Sequence, residues 1–265
     1  MDISTFQTLT FQKHPDKVAV VTINRPEAMN TFNREMVDEF EALWSLIAAD
    51  DEIHAVVLRA AEGRAFSAGV DVRNGGNVMR SDALWNRTDP GEGLGPKFNR
   101  CWKPVVCAVH GMCAAGAFYW VNEADIVICS DDATFFEPHV TYGMTAALEP
   151  IGLSYRLPLG DVLRMALLGN DERIGAQTAL RIGLVTEVVP FSSLWTRAHE
   201  LAAKIAEKPS IAVQGTVRAI WESLDLTRSA ALQNGLKYPL LGNAAGTAQV
   251  DRADVMSRAK TFEIR

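Results

Sequence analysis

Apolar positions along this chain change their spacing several times, and each change predicts an element. Short apolar runs at 8–12 and 17–24, separated by His-Pro-Asp, predict two strands in a hairpin-like start. Arg25-Pro26 ends the second run. From Asn33, a residue suited to cap a helix, the period lengthens, with Met36, Phe40, Leu43 and Ile47 at helical spacing. AVVL at 55–58 reads as a strand buried on both faces. KPVVCAV at 103–109 predicts another strand, followed by HGMCAAG and a helix from about 116 to 123. Two short strands at 125–129 and 134–136 follow. Helices are expected over 159–168 and around Ile174, Ala179 and Ile182, then a last strand at 185–189. Beyond Leu194 the spacing is helical, through Leu201, Ile205, Val213, Val217, Ile220 and Leu224. The pattern predicts an α/β core over 1–193 and a helical region over 194–265. Strand–helix units of similar size recur in the core without an exact sequence repeat.

Between Gly63 and Trp102 the periodicity loosens. RNGGNVMRSDALWNRTDPGEGLGPK is rich in Gly, Asn, Asp and Arg and reads as a long segment over a site. Met79, Leu84, Trp85 and Phe98 within it are candidates to shape a pocket.

Composition narrows the function classes. The chain of 265 residues is 48% hydrophobic and 22% charged, with mean hydropathy near zero, which suits a globular protein with a sizeable core. A net charge of −6 spread along the sequence argues against nucleic-acid binding, which needs a basic face. The N-terminus lacks a basic-then-apolar signal pattern and no apolar run reaches membrane-spanning length, so the expectation is a cytoplasmic protein with no membrane partner. Cys101, Cys107, Cys113 and Cys129 lie in apolar surroundings without CxxC spacing, which predicts buried thiols rather than disulfides or a metal site.

Three stretches carry candidate chemistry. AFSAGVD (65–71) and HGMCAAG (110–116) are small-residue turns after strands. Gly and Ala there let backbone N–H groups face a ligand, and two such groups aimed at one point would stabilise a carbonyl oxygen as it gains charge. Close packing of helix on strand asks for the same small residues. The third stretch, FFEPHVTYG (135–143), brings Glu137, Pro138, His139 and Tyr142 together after an apolar run. His139 has the ordinary pKa of a general acid or base near neutrality. Glu137, two residues earlier, would face the same way in an extended strand and orient it.

INRPEAMNTFN, AFSAGVD, KPVVCAVHGMCAAGA, ADIVICSDDATFFEPHV and ERIGAQTALRIGLVTEVVP occur in this order, and the chain resembles the crotonase superfamily, the enoyl-CoA hydratase/isomerase family, along nearly its whole length. The resemblance implies an α/β fold, a crotonase-like spiral of ββα repeats with a C-terminal helical trimerisation region, and a homotrimer or dimer of trimers. It implies no permanently bound cofactor, coenzyme A entering as part of an acyl-CoA thioester substrate. It also implies an oxyanion hole made of the Val70 and Gly116 amides. Asp71 is matched to a residue that ties this turn down, Ala68 lies beside it, and Arg25 with PEAMN matches the stretch near the nucleotide. Arg64, Arg73 and Lys260 are positive charges available to phosphates or subunit neighbours.

The family's hydratases use two glutamates to hold water and move its protons. At the matched positions this chain has Tyr119 and His139. Tyr119 could orient a water or fill the glutamate's volume. Glu149, in a segment a few residues longer than in hydratases, matches a region where some isomerases of the superfamily carry an acid; it could face the acyl pocket or solvent. Three functions stay open: an enolate-stabilising acyl-CoA enzyme with non-standard acid/base residues, a C–C bond hydrolase of a cyclic diketone or its CoA ester, and a non-catalytic acyl-CoA binder.

Overall fold

A computed structural model describes residues 3–73, 85, 88–89, 91–257 and 264. Met79, Leu84 and Lys260 lie outside the described residues. The larger of two sheets takes β1 (Leu9–Lys13), β2 (Val18–Ile23), β3 (Ala55–Ala60), β5 (Val105–Val109), β7 (Ile126–Ser130) and β10 (Glu187–Val189), in that order. The smaller takes β4 (Ala65–Ser67), β6 (Met112–Ala114), β8 (Thr134–Phe136) and β9 (Ile174–Gly175). Only β1–β2 and β8–β9 pair antiparallel; the other neighbours are parallel. Three times, at β3–β4, β5–β6 and β7–β8, the chain runs through a strand of the large sheet and then adds a short one to the small sheet. This is the spiral of repeated units that the resemblance implies.

The central strands β2, β3, β5 and β7 are buried on both faces, which is why they read as continuous apolar runs. Alternate residues divide between two cores. Val21, Val56, Leu58, Cys107 and Val127 face a core with α1 (Arg34–Ala49) and α2 (Phe118–Glu123). Val20, Val57, Val106 and Ile128 face the other, closed by Leu194, Ala198, Ala202 and Ala206 of α6 (Phe191–Ala206). That four-residue repeat of mostly alanine lets α6 lie close on the sheet. The chain therefore divides into Met1–Ala206 and Glu207–Arg265, later than the 193/194 boundary expected from sequence. All four cysteines are buried thiols.

The Asn33 side chain accepts from the Met36 amide and caps α1, as its sequence position predicts. Trp44 of α1 is fully buried, stacks on Phe40 with ring centroids 5.9 Å apart, and donates from its indole N–H to the Leu94 carbonyl at 2.9 Å. Trp120 of α2 meets Phe32, Phe40 and Phe66 with centroids 5.5–6.1 Å apart. This aromatic cluster fixes where α2 begins. Trp44→Ala should cost about 3–5 kcal/mol of unfolding free energy, measured by denaturant titration, because it opens a cavity and strands the Leu94 carbonyl.

Three short elements gave no periodic signal: β4, β6 and the helix α3 (Leu148–Ser154). The others of the first unit are α4 (Leu159–Leu168) and α5 (Ala176–Ile182), with Ile174 in β9 rather than in a helix. The second unit holds α7 (Ser210–Ser223), α8 (Arg228–Gly235), α9 (Lys237–Ala248) and α10 (Arg252–Ser257), with α7 packed on α8 and α9. Its apolar residues Ile220, Leu232, Leu236, Leu240 and Leu241 are exposed. Among the described residues no helix is long and apolar enough to cross a membrane.

Candidate active site

Val70, Gly116, Glu137 and His139 lie just beyond strands of the small sheet, whereas Tyr119 lies in α2 and Glu149 in α3. After β4 the chain turns at Gly69, whose φ of 89° suits a residue without a Cβ. A Cβ there would stand 2.9 Å from the Gly116 amide nitrogen, too close for any side chain. Glycine thus lets the SAG turn press against the turn after β6. On that second turn Ala115 holds a left-handed φ of 51°, a strained conformation for alanine that swings the following peptide.

The turn that carries Val70 and the turn that carries Gly116 thereby lie against each other. Ala68 N–H donates to Met29 O at 3.1 Å, Asp71 N–H to Phe32 O at 2.8 Å, and Gly69 O accepts from Phe32 N–H at 2.8 Å. These bonds fix the turn while the Val70 amide between them has no partner among the described residues. The Gly116 amide opens the single turn Ala115–Ala117, where a helical ladder offers it no acceptor. The Phe32 ring backs this pair: its Cε1 lies 2.5 Å from where a Gly116 Cβ would be. Val70 and Ala68 are half-buried.

Beyond β8 the chain supplies titratable groups. Glu137 is fully buried, and its carboxylate accepts from His139 Nδ1 and, at 3.2 Å, from the His139 backbone N–H. The expected alternation along a strand is not the reason they meet. β8 ends at Phe136, and Pro138 starts a tight turn over His139–Tyr142 that folds the imidazole back onto Glu137. The second Glu137 oxygen is buried without a partner among the described residues. The hydrogen bond to Glu137 raises the His139 pKa, against the opposing effect of burial. The phenol of Tyr142 turns outward instead, where it accepts from Asn170 at 3.2 Å.

Glu149 sits in the first turn of α3, and its side chain turns inward rather than to solvent. The helix is pressed onto α2, where Asn122 donates to the Glu149 carbonyl at 3.0 Å and fills the space a Gly152 Cβ would need. Burial first, then the Glu137 charge, raises the Glu149 pKa, which favours a neutral acid able to give a proton. Ligand-type atoms of Glu137, His139 and Glu149 all lie within 4.8 Å of one another, and these are the residues, among those described, that could surround a cation.

Tyr119 stands between the two halves, edge-on to Phe32 with its ring beside the Gly116 turn. Burial and the charges of Glu149 and Asp89 raise its pKa, so it stays a phenol. Asp89 hydrogen-bonds that phenol and accepts from the Gly91 amide at 2.7 Å. Sequence reasoning missed Asp89 and Phe32. The Asp-Pro-Gly at 89–91 signals a turn, but nothing in it points to Tyr119.

Arg25 and Asp71 form a buried pair at 2.8 Å. Arg73 contributes its backbone N–H to Asp71 at 3.2 Å, and Arg64 is exposed. Glu123 and Asp125 hold neighbouring backbone: Glu123 accepts from the Lys97 and Phe98 amides at 2.6 and 3.0 Å, and Asp125 from Lys97 Nζ and the Val105 amide at 2.8 and 2.7 Å.

Two touching small-residue turns beside a phenol, with a histidine and two carboxyl groups clustered beyond β8, suit chemistry next to a carbonyl. Comparison with known proteins gives the family. Residues 13–239 match the family model described as enoyl-CoA hydratase/isomerase. The chain is similar to an (E)-benzylidenesuccinyl-CoA hydratase of Thauera aromatica, 32% identical over 87% of this chain and 86% of the relative. It is also similar to a (7aS)-7a-methyl-1,5-dioxo-2,3,5,6,7,7a-hexahydro-1H-indene-carboxyl-CoA hydrolase of Rhodococcus jostii, 30% identical over 92% of this chain and 93% of the relative. Among solved structures, an enoyl-CoA hydratase/isomerase from Mycobacterium paratuberculosis superposes with a TM-score of 0.83 at 34% identity, covering 98% of this chain and all of that one. With the spiral, the paired turns and most of its length in agreement, the chain belongs to the enoyl-CoA hydratase/isomerase family of the crotonase superfamily.

Proposed function

We propose that this protein is an enzyme acting on acyl-CoA thioesters by way of an enolate held at the Val70 and Gly116 amides. The observation that supports this reading is the close approach of the Gly69 turn to the Gly116 amide, which leaves no room for a Cβ at Gly69. His139 Nε2, with Nδ1 engaged by Glu137, takes the proton from the thioester α-carbon. The C–H electron pair moves into the bond to the carbonyl carbon, and the carbonyl π pair moves onto the oxygen facing the two N–H groups. Uncharged backbone donors stabilise that oxygen without titrating away. Glu149 as a neutral acid returns a proton to the acyl chain, and Tyr119, tied to Asp89, orients the acyl group. Double-bond isomerisation fits this division of roles; in water addition His139 would instead take a proton from water as its oxygen bonds to the β-carbon, and Glu149 would protonate the α-carbon of the resulting enolate. No permanent cofactor is needed. The exposed leucines of the second unit support assembly into a trimer or dimer of trimers.

The test is exchange. Incubated in deuterium oxide with saturated and unsaturated acyl-CoA thioesters, the protein should incorporate deuterium at the α-carbon, followed by mass spectrometry. Binding of these thioesters without any incorporation or turnover would leave a non-catalytic acyl-CoA binder.

One second reading is favoured by a specific observation, the Rhodococcus jostii relative aligned over nearly the whole chain. Here the reaction is hydrolysis of a C–C bond in a cyclic diketone carried as a CoA ester. His139 removes a proton from water as its oxygen bonds to the ring ketone, and the C–C electron pair leaves as an enolate that Glu149 protonates. Mass gain of one water on a 1,3-diketone thioester, with the thioester intact, would distinguish it from hydration of an enoyl-CoA by the failure of a saturated diketone control to be spared.

Glu137→Gln should move the acid limb of the rate profile to lower pH. The carboxylate raises the His139 pKa, and a base works only when deprotonated, so activity climbs as pH rises through that raised value. A neutral amide no longer stabilises imidazolium. The measurement is kcat/KM against pH, and an unmoved limb would assign it to another group.

A further inference from the structure

The resemblance suggests that Arg25 lies near the CoA nucleotide, yet its guanidinium is engaged elsewhere. Nη2 donates to Asp71 Oδ2 at 2.8 Å and Nη1 to the Thr31 carbonyl at 2.6 Å, with the two side chains only 13% and 5% exposed. This fork joins two segments that both touch the candidate oxyanion hole. Asp71 follows Val70 directly. Thr31 precedes Phe32, whose backbone brackets Val70 through Gly69 O and Asp71 N–H and whose ring lies against Gly116.

The segment between them is held under strain. Met29 and Asn30 both have φ of 53°, consecutive left-handed residues that alanine-like side chains avoid. Asn30 sustains this bend from both ends. Its Oδ1 accepts from the Arg25 amide at 2.9 Å, its own amide donates to the Arg25 carbonyl at 2.8 Å, and its Nδ2 donates to the carbonyl of Ala65, where β4 starts. A bend stretched in this way keeps its shape only if its ends are fixed, and Arg25–Asp71 fixes the end nearest Val70.

We propose that Arg25, acting through Asp71, is a positioning residue that sets the direction of the Val70 N–H relative to that of Gly116. The proposal rests on the oxyanion reading above. Lysine keeps the charge but has one nitrogen and no planar fork, so it cannot hold Asp71 and the Thr31 carbonyl in the same geometry. Misplacement of a reacting group by about 1 Å lowers rate by roughly 10²-fold.

Arg25→Lys is therefore expected to lower kcat by about 10- to 100-fold, with KM and the affinity for free CoA nearly unchanged. A second readout separates positioning from general loosening. Butyryl-CoA labelled with carbon-13 at the carbonyl is bound at saturation, and its carbonyl stretch is followed by difference infrared spectroscopy. Wild type should shift the stretch to lower frequency, and Arg25→Lys should shift it less. If Arg25→Lys does not fold, Asp71→Asn carries the same two measurements. A full carbonyl shift in the folded variant overturns the proposal. So does weakened CoA binding with unchanged kcat, which would return the guanidinium to the nucleotide. Absence of any shift in wild type would instead sink the oxyanion reading itself, and this proposal with it.

Discussion

Replacement of His139 by alanine is expected to lower kcat by about 10²- to 10⁴-fold, the range supplied by a positioned general base, while KM changes little. His139 is the imidazole of the site, and its Nδ1 is occupied by a carboxylate buried beneath it, which leaves Nε2 to meet the substrate. The side chain remains 19% exposed, so its removal opens no core cavity. It does deprive the buried Glu137 of a partner, and leaving a buried charge unpaired is destabilising. The double variant H139A/E137Q removes that complication. Steady-state kinetics on both should give the same loss, with melting temperature restored in the double variant. Activity within a few-fold of wild type in either would remove His139 from the reaction and leave Glu149 as the candidate base.

Gly116→Pro should lower kcat by about 10²- to 10³-fold, the usual consequence of deleting one oxyanion donor. Proline has no N–H, and this position opens a short turn where no helical bond is lost with it. A complication comes from Phe32, whose ring stands 2.5 Å from the site of any added Cβ. Gly116→Ala meets the same ring but keeps its N–H. The comparison of the two therefore isolates the hydrogen bond: both displace Phe32, and only proline deletes the donor. Equal kcat values in the two variants would mean that the ring matters and the amide does not.

Much of this architecture could be read from residue patterns, because long buried strands and capped helices advertise themselves. KVAVVTIN and the Asn33-capped helix are examples. The elements without a periodic signal, β4, β6 and α3, are three to seven residues long, fewer than two full periods each. They also carry or adjoin the site. Motif order pointed to Val70, Gly116 and His139 because each depends on nearby backbone. It could not settle which way Glu149 points, since that follows from Gly152 packing on Asn122, a contact between separate helices. Arg25 and Asp71 were both singled out, but not as partners. A pairing across 46 positions leaves no mark in one sequence. Glu137 meeting His139 was anticipated for a geometric reason that does not hold, since a turn and not a strand brings them together.

The small sheet has an evolutionary consequence. β4, β6 and β8 are parallel neighbours, with Ser67 beside Cys113, after a register shift within β4, and Cys113 beside Phe135. Val70, Gly116 and His139 each leave the end of one of these strands, two or three positions further on. Strand spacing of about 4.8 Å puts the first and third exits roughly 10 Å apart, near the length of a thioester and its first few acyl carbons. Under the function proposed above, the first two rungs would grip the carbonyl and the third would carry the base. Inheritance of the grip is thus separable from inheritance of the chemistry. A lineage could then change the third rung alone and try a new reaction on a thioester that the first two rungs would still hold.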